Sequence, residues 1–491
     1  MQDQLDPAEE RRHSRRWLVL VAISIAQLMV VLDATIVNIA LPSAQADLGF
    51  SDDDRQWVVT AYALAFGGLL LLGGKLGDLF GRKRVFVVGL GGFALASVLG
   101  GFATRFAVLV GARALQGVFG ALLAPAALSL LATTFTDPAE RVKAFGIFGA
   151  IAGGGAAVGL LLGGLLTEYL SWRWCLYVNL AFAVPAILMG LRLIVDVPHV
   201  GARPKIDVPG VLTVSVGLFA LVYGFAEAET SGWSSGVVIG CLVAAVVLIG
   251  AFIAIQARSS HPLLPLRIVR DRDRGGSLIT MALSGAGMFG VFLFLTYYLQ
   301  QTLGFSPVVT GVAFLPLVGG IMLSSTTVGP QLQPRIGIRP LIAGGMLLGG
   351  IGLLLFTRLG LDSSYWPDVL VPLVVMGLGL GLVFSTAISS STAGVEPADA
   401  GVGSAMVNTV QQVGGSVGTA LLNTLFSSAV ADSLATGGAS RIAQAQAQID
   451  GYTTVFWWAA GIFAIGAIAT GLLLRGGVRE LEPSAEPAFA H

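Results

Sequence analysis

The sequence predicts an all-α membrane protein with fourteen transmembrane helices. Of its 491 residues, 55% are hydrophobic and only 11% are charged, whereas about 25% of the residues in an average soluble domain are charged. The apolar residues form runs of about 20 residues, the length that a helix needs to cross a bilayer. Short polar loops separate these runs, and basic residues collect in every second loop, as the positive-inside rule requires.

The predicted spans follow the apolar runs from the first to the last. In chain order they are 17–40, 56–73, 84–103, 106–132, 143–166, 174–194, 208–226, 236–256, 276–299, 308–328, 341–357, 368–391, 403–427 and 453–474. The runs at 208–226 and 236–256 also fit one re-entrant pair. We expect a short interfacial helix in the basic linker 256–274 and a short surface helix in the polar stretch 431–451.

The basic residues predict the orientation of the chain. Arg82, Lys83 and Arg84 follow the second span, and other basic clusters follow the later even-numbered spans. The even-numbered loops and both termini are therefore expected in the cytoplasm, with the protein as a multi-pass component of the cytoplasmic membrane. Polar tails are expected at 1–16 and 475–491, and residues 1–12 and 480–491 have the composition of disordered segments.

Asp33 lies inside the first span, within the stretch 32–42. An acid at that depth costs about 2.5–3.5 kcal/mol on insertion scales, so it is retained where it faces a polar interior. This position makes Asp33 a candidate proton carrier. The alternative is that Asp33 sits at the end of its helix, in headgroup water.

Arg113 lies within the fourth span and keeps its charge at any physiological pH. A buried guanidinium needs a carboxylate, a carbonyl or cavity water as its partner. Asp33 is the candidate carboxylate, and protonation of Asp33 would weaken the pair. The alternative is that Arg113 extends its side chain to the membrane interface.

The loop 74–84 joins the second and third spans with two glycines, an acid and a basic triplet. Gly74 and Gly81 permit close helix approach and a tight turn. Asp78 can pair with Arg82 or meet a helix N-terminus, where a negative charge is favoured. Such a group could act as a conformational latch. The alternative is an ordinary positively charged inner loop.

These stretches resemble motifs of the major facilitator superfamily, and within it the fourteen-span drug:proton antiporter family. Residues 74–84 are similar to the signature loop, 32–42 to the first-helix motif and 113–117 to the fourth-helix motif. Residues 172–179 and 408–415 resemble the entry to the sixth helix and the thirteenth helix. The resemblance implies a role for Arg113 in proton transfer, beside Asp33 in the same half of the fold.

The resemblance also implies the major facilitator fold, with two six-helix bundles at 17–194 and 276–474 and two inserted helices at 208–256. The chain departs from the family pattern at two positions. Leu160 stands in the glycine-rich fifth span where the family often has proline, which removes a kink. Pro334 stands in the second signature loop, 329–339, where an acid would align with Asp78.

Several polar or amphipathic side chains within or near the spans are candidate substrate contacts, although each also fits packing or an interfacial belt. They are Gln27, Asn38, Tyr62, Gln116, Tyr297, Asn408 and Gln412. Glu227, at the outer end of the seventh span, is a second candidate for proton coupling, with a solvated rim residue as the alternative. We expect no metal site, because the four histidines fall in tails and loops, and no cofactor.

We therefore expect a monomeric secondary transporter that is not an enzyme. It would export amphipathic drugs or antibiotics in exchange for protons, as the resemblance implies. The net charge of zero gives no reason to expect a nucleic-acid partner. Two alternatives with the same fold are a proton symporter that imports a small nutrient and an exporter of lipids or metabolites.

Overall fold

A computed structural model of the protein describes residues 7–50, 52–195, 207–396, 399–437 and 440–475, and it is built from α-helices. In chain order they are α1 (Pro7–Leu48), α2 (Asp52–Phe80), α3 (Arg82–Gly101), α4 (Phe106–Thr134), α5 (Pro138–Tyr169), α6 (Trp174–Leu193), α7 (Val208–Ser231), α8 (Gly236–Arg258), α9 (Leu266–Arg270), α10 (Arg272–Tyr297), α11 (Pro307–Ala313), α12 (Leu315–Leu323), α13 (Gly329–Ile336), α14 (Ile338–Phe356), α15 (Leu370–Thr392), α16 (Ala400–Gly437) and α17 (Arg441–Leu473). Short π-helical stretches follow α10, follow α12 and precede α15.

The helices match the predicted spans. Among the described residues, thirteen helical segments are long and apolar enough to cross a membrane. The helix α5, of 32 residues, contains the remaining predicted span, 143–166. The predicted span 308–328 passes through α11, α12 and a π-helical stretch. Because α7 and α8 are separate helices of 24 and 23 residues, the structure excludes the re-entrant alternative.

Two predictions about polar segments were wrong, both because long helices continue beyond the apolar runs. The segment 1–12, which has the composition of a disordered tail, is helical from Pro7, and the stretch 431–451 holds the end of α16 and the start of α17. Extending an existing helix avoids the nucleation penalty that an isolated helix meets. A short helix, α9, lies in the linker 256–274 as expected, and its place at the membrane interface stays a prediction. The predicted tail residues 1–6 and 476–491 lie outside the described residues.

Two groups of helices pack internally. In the first, α1 lies against α5 and α6, while α4 lies against α2 and α3; in the second, α14 lies against α15 and α17, while α10 lies against α16 and α17. We propose these groups as the bundles 17–194 and 276–474. The pair α7 and α8 lies outside them, and α7 contacts both α2 and α16.

The two groups meet where α2 lies against α16 and where α5 lies against α12 and α15. Glycines allow this close approach. A side chain at Gly74 would overlap the carbonyl of Gly401, and a side chain at Gly146 would overlap the carbonyl of Ser325. The interface between the groups therefore depends on backbone-to-backbone packing, which small residues favour in membranes.

We expect Gly146→Ala to lower the free energy of unfolding by about 1–3 kcal/mol, because the added methyl group forces α5 away from Ser325. Gly91→Ala is the matched control, because Gly91 in α3 has open space where its side chain would be. That change should stabilise the helix by up to about 1 kcal/mol. Thermal unfolding of both variants in detergent tests this, and equal shifts would contradict the packing argument.

Candidate functional site

Asp33 is fully buried in the first group of helices. Its Oδ2 accepts a hydrogen bond from Arg113 Nη1 at 2.6 Å. Its Oδ1 accepts from Gln116 Nε2 at 2.9 Å and from Asn179 Nδ2 at 2.7 Å. The carboxylate on α1 is therefore held by a cation and an amide on α4 and by a second amide on α6. Asp33 does not lie in headgroup water, the alternative that the sequence left open.

The Arg113 guanidinium contacts four residues. Besides Asp33, Nη1 donates to Gln116 Oε1 at 2.8 Å, and Nε donates to the Val58 carbonyl at 3.1 Å. The guanidinium also lies 4.5 Å from the centroid of the Tyr62 ring. The residue is only 1% exposed, so its side chain does not extend to the membrane interface. A buried ion pair persists when further hydrogen bonds satisfy both ions, and this pair meets that condition.

Ser97 on α3 completes the group. Its hydroxyl accepts from Gln116 Nε2 at 2.7 Å and from Asn179 Nδ2 at 3.1 Å, and it donates to the Phe93 carbonyl at 2.8 Å. We call Asp33, Ser97, Arg113, Gln116 and Asn179 the Asp33 cluster. Each of its side chains is almost completely buried. The cluster therefore joins α1, α3, α4 and α6, and Val58 and Tyr62 join α2 to it.

The stretch 113–117 places these groups for a physical reason. Residues three apart share a helix face, so Arg113 and Gln116 both point at Asp33. A side chain at Gly117 would lie 2.5 Å from the Tyr62 carbonyl. Glycine at this position lets α2 approach α4 closely enough for the Val58 carbonyl and the Tyr62 ring to contact Arg113.

A small cavity of about 10 Å³ lies one helical turn beyond the cluster, toward the end of the molecule that carries Gly49. Its walls are Val37, Ala40, Leu41, Ala44, Val58, Leu109, Trp172, Cys175 and Leu176. A space of that size admits about one water molecule, but a water molecule also needs several polar partners. The lining of this cavity exposes no polar surface, so it offers a water molecule no partner.

Asp78 forms the second candidate site, at the opposite end of the helices. Its Oδ1 accepts from the Gly401 amide at 2.9 Å and its Oδ2 from the Val402 amide at 3.3 Å. Arg82 Nη2 also donates to Oδ1, at 3.3 Å. The acid thus makes both contacts that the sequence suggested as alternatives. Because Asp78 closes α2 and Gly401 lies in the first turn of α16, the contact joins the two groups of helices.

The glycines of this loop differ in what they do. Gly81 has φ of 93° where α3 begins, a conformation that glycine adopts without strain. Gly74 packs against Gly401, whereas Gly77 has open space where its side chain would be. Gly74, Asp78, Gly81 and Arg82 are the predicted latch residues, and all four lie at this contact or at the turn beside it.

The second loop has a similar turn without the acid. Gly337 has φ of 80° where α14 begins, and Pro334 precedes it by three residues, as Asp78 precedes Gly81. Whereas Asp78 of the other group contacts the first turn of α16, the first turn of α5 is capped by the adjacent Asp137, whose Oδ1 accepts from the Glu140 amide at 2.9 Å. Between the groups at this point, Arg141 Nη2 donates to Thr392 Oγ1 at 3.0 Å.

The remaining candidates lie apart from the Asp33 carboxylate. Glu227 is half-buried on α7 and its carboxyl accepts from Ser231. Gln412 on α16 faces Gly67 of α2, and Asn408 donates to its own helix at the Ser404 carbonyl. Tyr297 is 42% exposed.

Three further candidate substrate contacts lie in the first group of helices. Gln27 Oε1 and Tyr62 Oη are buried and have no hydrogen-bond partner among the described residues. Gln116 is occupied within the Asp33 cluster. The side chain of Asn38 lies outside the described part of the structure.

Sequence reasoning missed three members of this region. Ser97 and Asn179 complete the Asp33 cluster, and Asp47 accepts from Trp172 Nε1 at 3.0 Å and from Arg173 Nη1 at 2.5 Å. The Arg173 and Trp172 hydrogen bonds lower the pKa of Asp47. The available signals were a polar residue in an apolar helix, at Asn179, and the tryptophan and arginine just before α6.

A polytopic helical protein with this architecture and a buried carboxylate–guanidinium pair falls in the class of membrane transporters. The chain belongs to the Major Facilitator Superfamily, whose family model matches residues 23–419. It is therefore a transporter of small substrates across a membrane and not an enzyme.

The chain is similar to several curated resistance and export proteins. It is 52% identical over 462 residues to the puromycin resistance protein pur8 of Streptomyces alboniger, covering 94% of this chain and 92% of the relative. It is 38% identical over 416 residues to the cephamycin export protein CmcT of Amycolatopsis lactamdurans, covering 84% and 86%. It is 36% identical to the tetracenomycin C resistance and export protein of Streptomyces glaucescens, covering 85% and 77%.

A solved structure supports the fold. The human organic anion transporter MFSD10 (TETRAN) superimposes with a TM-score of 0.64 at 16% sequence identity, covering 93% of this chain and 99% of that one. The expected major facilitator fold is confirmed.

Two substitutions should each weaken the contact between α2 and α16. Asp78→Asn removes a negative charge from the N-terminus of α16. Gly74→Ala adds a methyl group that overlaps the Gly401 carbonyl. If the contact is worth about 1–2 kcal/mol, its loss would change the ratio between the conformation described here and one with α2 and α16 apart roughly 5- to 30-fold. Distances between spin labels at Arg84 and Arg339, in a variant lacking Cys175 and Cys241, measure this ratio.

Gly77→Ala is the matched control for the latch, because it adds a methyl group to the same loop in open space. It should leave the distance distribution unchanged. Unchanged distances in Asp78→Asn and Gly74→Ala would show that this contact does not hold the two groups together.

Proposed function

We propose that the protein exports amphipathic drugs or antibiotics across the cytoplasmic membrane in exchange for protons. The resistance and export proteins that it resembles over most of its length support the direction and the substrate class. The observation that carries the proton coupling is the buried bond between Asp33 and Arg113. A titratable acid at that depth costs free energy on insertion, and its retention supports a role in the transport cycle beyond joining the helices.

Asp33 is the proposed proton carrier. When Asp33 is ionised, its charge and that of Arg113 cancel within the cluster. When Asp33 takes up a proton, the Val58 carbonyl, the Gln116 amide oxygen and the Tyr62 ring still hold the guanidinium. Proton binding therefore changes the net charge of the cluster by one unit without releasing Arg113.

The basic loops support a cytoplasmic location for the end of the molecule that carries Gly81. Asp78 and Arg141 join the two groups of helices at that end. We propose that this conformation is closed toward the cytoplasm, and that both termini lie on that side. A substrate between the groups does not contact Asp33 here, because the Asp33 side chain is fully enclosed. Coupling would then act through movement of the helices that hold the cluster.

Everted membrane vesicles with an imposed proton gradient test the proposal. Wild-type protein should accumulate puromycin or a fluorescent amphipathic cation in such vesicles, and the uptake should vanish when the gradient is collapsed. Asp33→Asn should insert normally, and its gradient-driven uptake should fall at least about tenfold, because an amide cannot exchange a proton as the carboxyl does.

Asp432→Asn is the matched control, because it makes the same acid-to-amide change at an exposed position on α16. It should transport like the wild type. Undiminished gradient-driven uptake by Asp33→Asn would reject the proton-carrier role. Gradient-driven accumulation in right-side-out vesicles alone would indicate import, and would reject export.

A further inference from the structure

Hydrogen-bond donors surround the Asp33 carboxylate. Arg113 Nη1, Gln116 Nε2 and Asn179 Nδ2 all point at its two oxygens. An ionised carboxylate accepts from each of them, whereas a protonated carboxyl must itself donate one hydrogen bond. None of these three nitrogen atoms can accept that bond. The observed arrangement therefore fits the ionised form, and a proton can be accommodated only if a neighbour turns.

The three neighbours differ in their ability to turn. Arg113 has donors only, so no rotation makes it an acceptor. The Gln116 amide is committed at both ends, because Oε1 accepts from Arg113 and Nε2 donates to Asp33 and Ser97. Asn179 Oδ1, in contrast, is buried and has no hydrogen-bond partner among the described residues. Turning the Asn179 amide breaks no bond to its oxygen.

Ser97 can follow such a turn. Its hydroxyl lies 3.1 Å from the Asn179 nitrogen and donates to the carbonyl of its own helix. A hydroxyl hydrogen rotates freely to suit its partner. After the turn, Asn179 Oδ1 can accept from the Asp33 carboxyl and from Ser97. The Asn179 nitrogen then lies where Oδ1 was, and it has no acceptor there. A shift of α6 would bring an acceptor within reach.

We propose that Asn179 is the positioning residue through which proton binding at Asp33 moves α6. The proposal rests on Asp33 as the proton carrier. The step adds one proton to Asp33 Oδ1 from one side of the membrane and releases it to the other side, and no other covalent bond forms or breaks. The titratable side chains that face Asp33 are Arg113, Tyr62 and Cys175, on α4, α2 and α6. Among the described residues, α3 and α5 present none.

The test uses purified full-length protein and measures the protons released when a substrate such as puromycin is added at a series of pH values. Asn179→Leu keeps the size of the side chain and removes the amide. Asn179→Leu removes a donor from the ionised form and an acceptor from the protonated form. The first loss is the larger, because hydrogen bonds to charged groups are stronger, so the midpoint of proton release should move to higher pH by roughly 1 unit. Infrared difference spectra should report the same shift in the carboxyl band, independently of transport.

Two further variants serve as controls. Asn179→Ser keeps a group that can donate or accept, and it should shift the midpoint by less than Asn179→Leu; it also serves if the leucine variant does not fold. Asn423→Leu makes the same change at a half-buried position on α16, and its midpoint should match that of the wild type.

The outcomes separate this proposal from the proposed function. A wild-type midpoint in both Asn179 variants would overturn the role of Asn179 and leave Asp33 as the carrier. Substrate-induced proton release that persists in Asp33→Asn would overturn both. A loss of stability in Asn179→Leu without any change in midpoint would show that Asn179 only packs α6 against the cluster.

Discussion

The buried pair of Asp33 and Arg113 is the interaction on which the first half of the molecule depends. Each ion alone would be costly at membrane depth, and removing one partner of a buried pair typically costs about 3–5 kcal/mol. The structure offsets this cost by satisfying both ions from α1, α2, α4 and α6 at once. The positions of these helices are therefore tied to the protonation state of one carboxyl group.

The contact between the two groups of helices is not symmetric. At α2 and α16 a carboxylate meets the end of a helix, so the contact is electrostatic and strengthens with burial. At α5 and α15 a neutral hydroxyl accepts from Arg141, and the corresponding loop has Pro334 in place of an acid. If the two groups separate at the Gly81 end, the contact of Asp78 with α16 and the weaker contact of Arg141 with Thr392 must both break.

Much of the fold could be predicted from the sequence, because the length of an apolar run and the cost of a charge in lipid are local properties. The same cost led to the pairing of Asp33 with Arg113. The partners of Asp78 could not be predicted, because 323 residues separate it from Gly401 and no periodicity links them. Asn179 was visible as part of a motif, but its target became evident only when α6 was placed beside α1. The helices α1, α16 and α17 continue beyond their apolar runs into polar sequence, where hydropathy carries no signal.

The helix α5 explains how a change near Asp33 can act on the other half of the molecule. Gly159 packs against Leu32 and Thr35, immediately beside Asp33, and Gly149 packs against Ser385 in the opposite group. Both contacts lie on one helix that continues from Pro138 to Tyr169 without interruption. A proline at position 160 would kink α5 over the turn that precedes it, which contains Gly159. With Leu160, α5 is one continuous helix between its contacts with α1 and with α15, and we therefore expect the two contacts to move together.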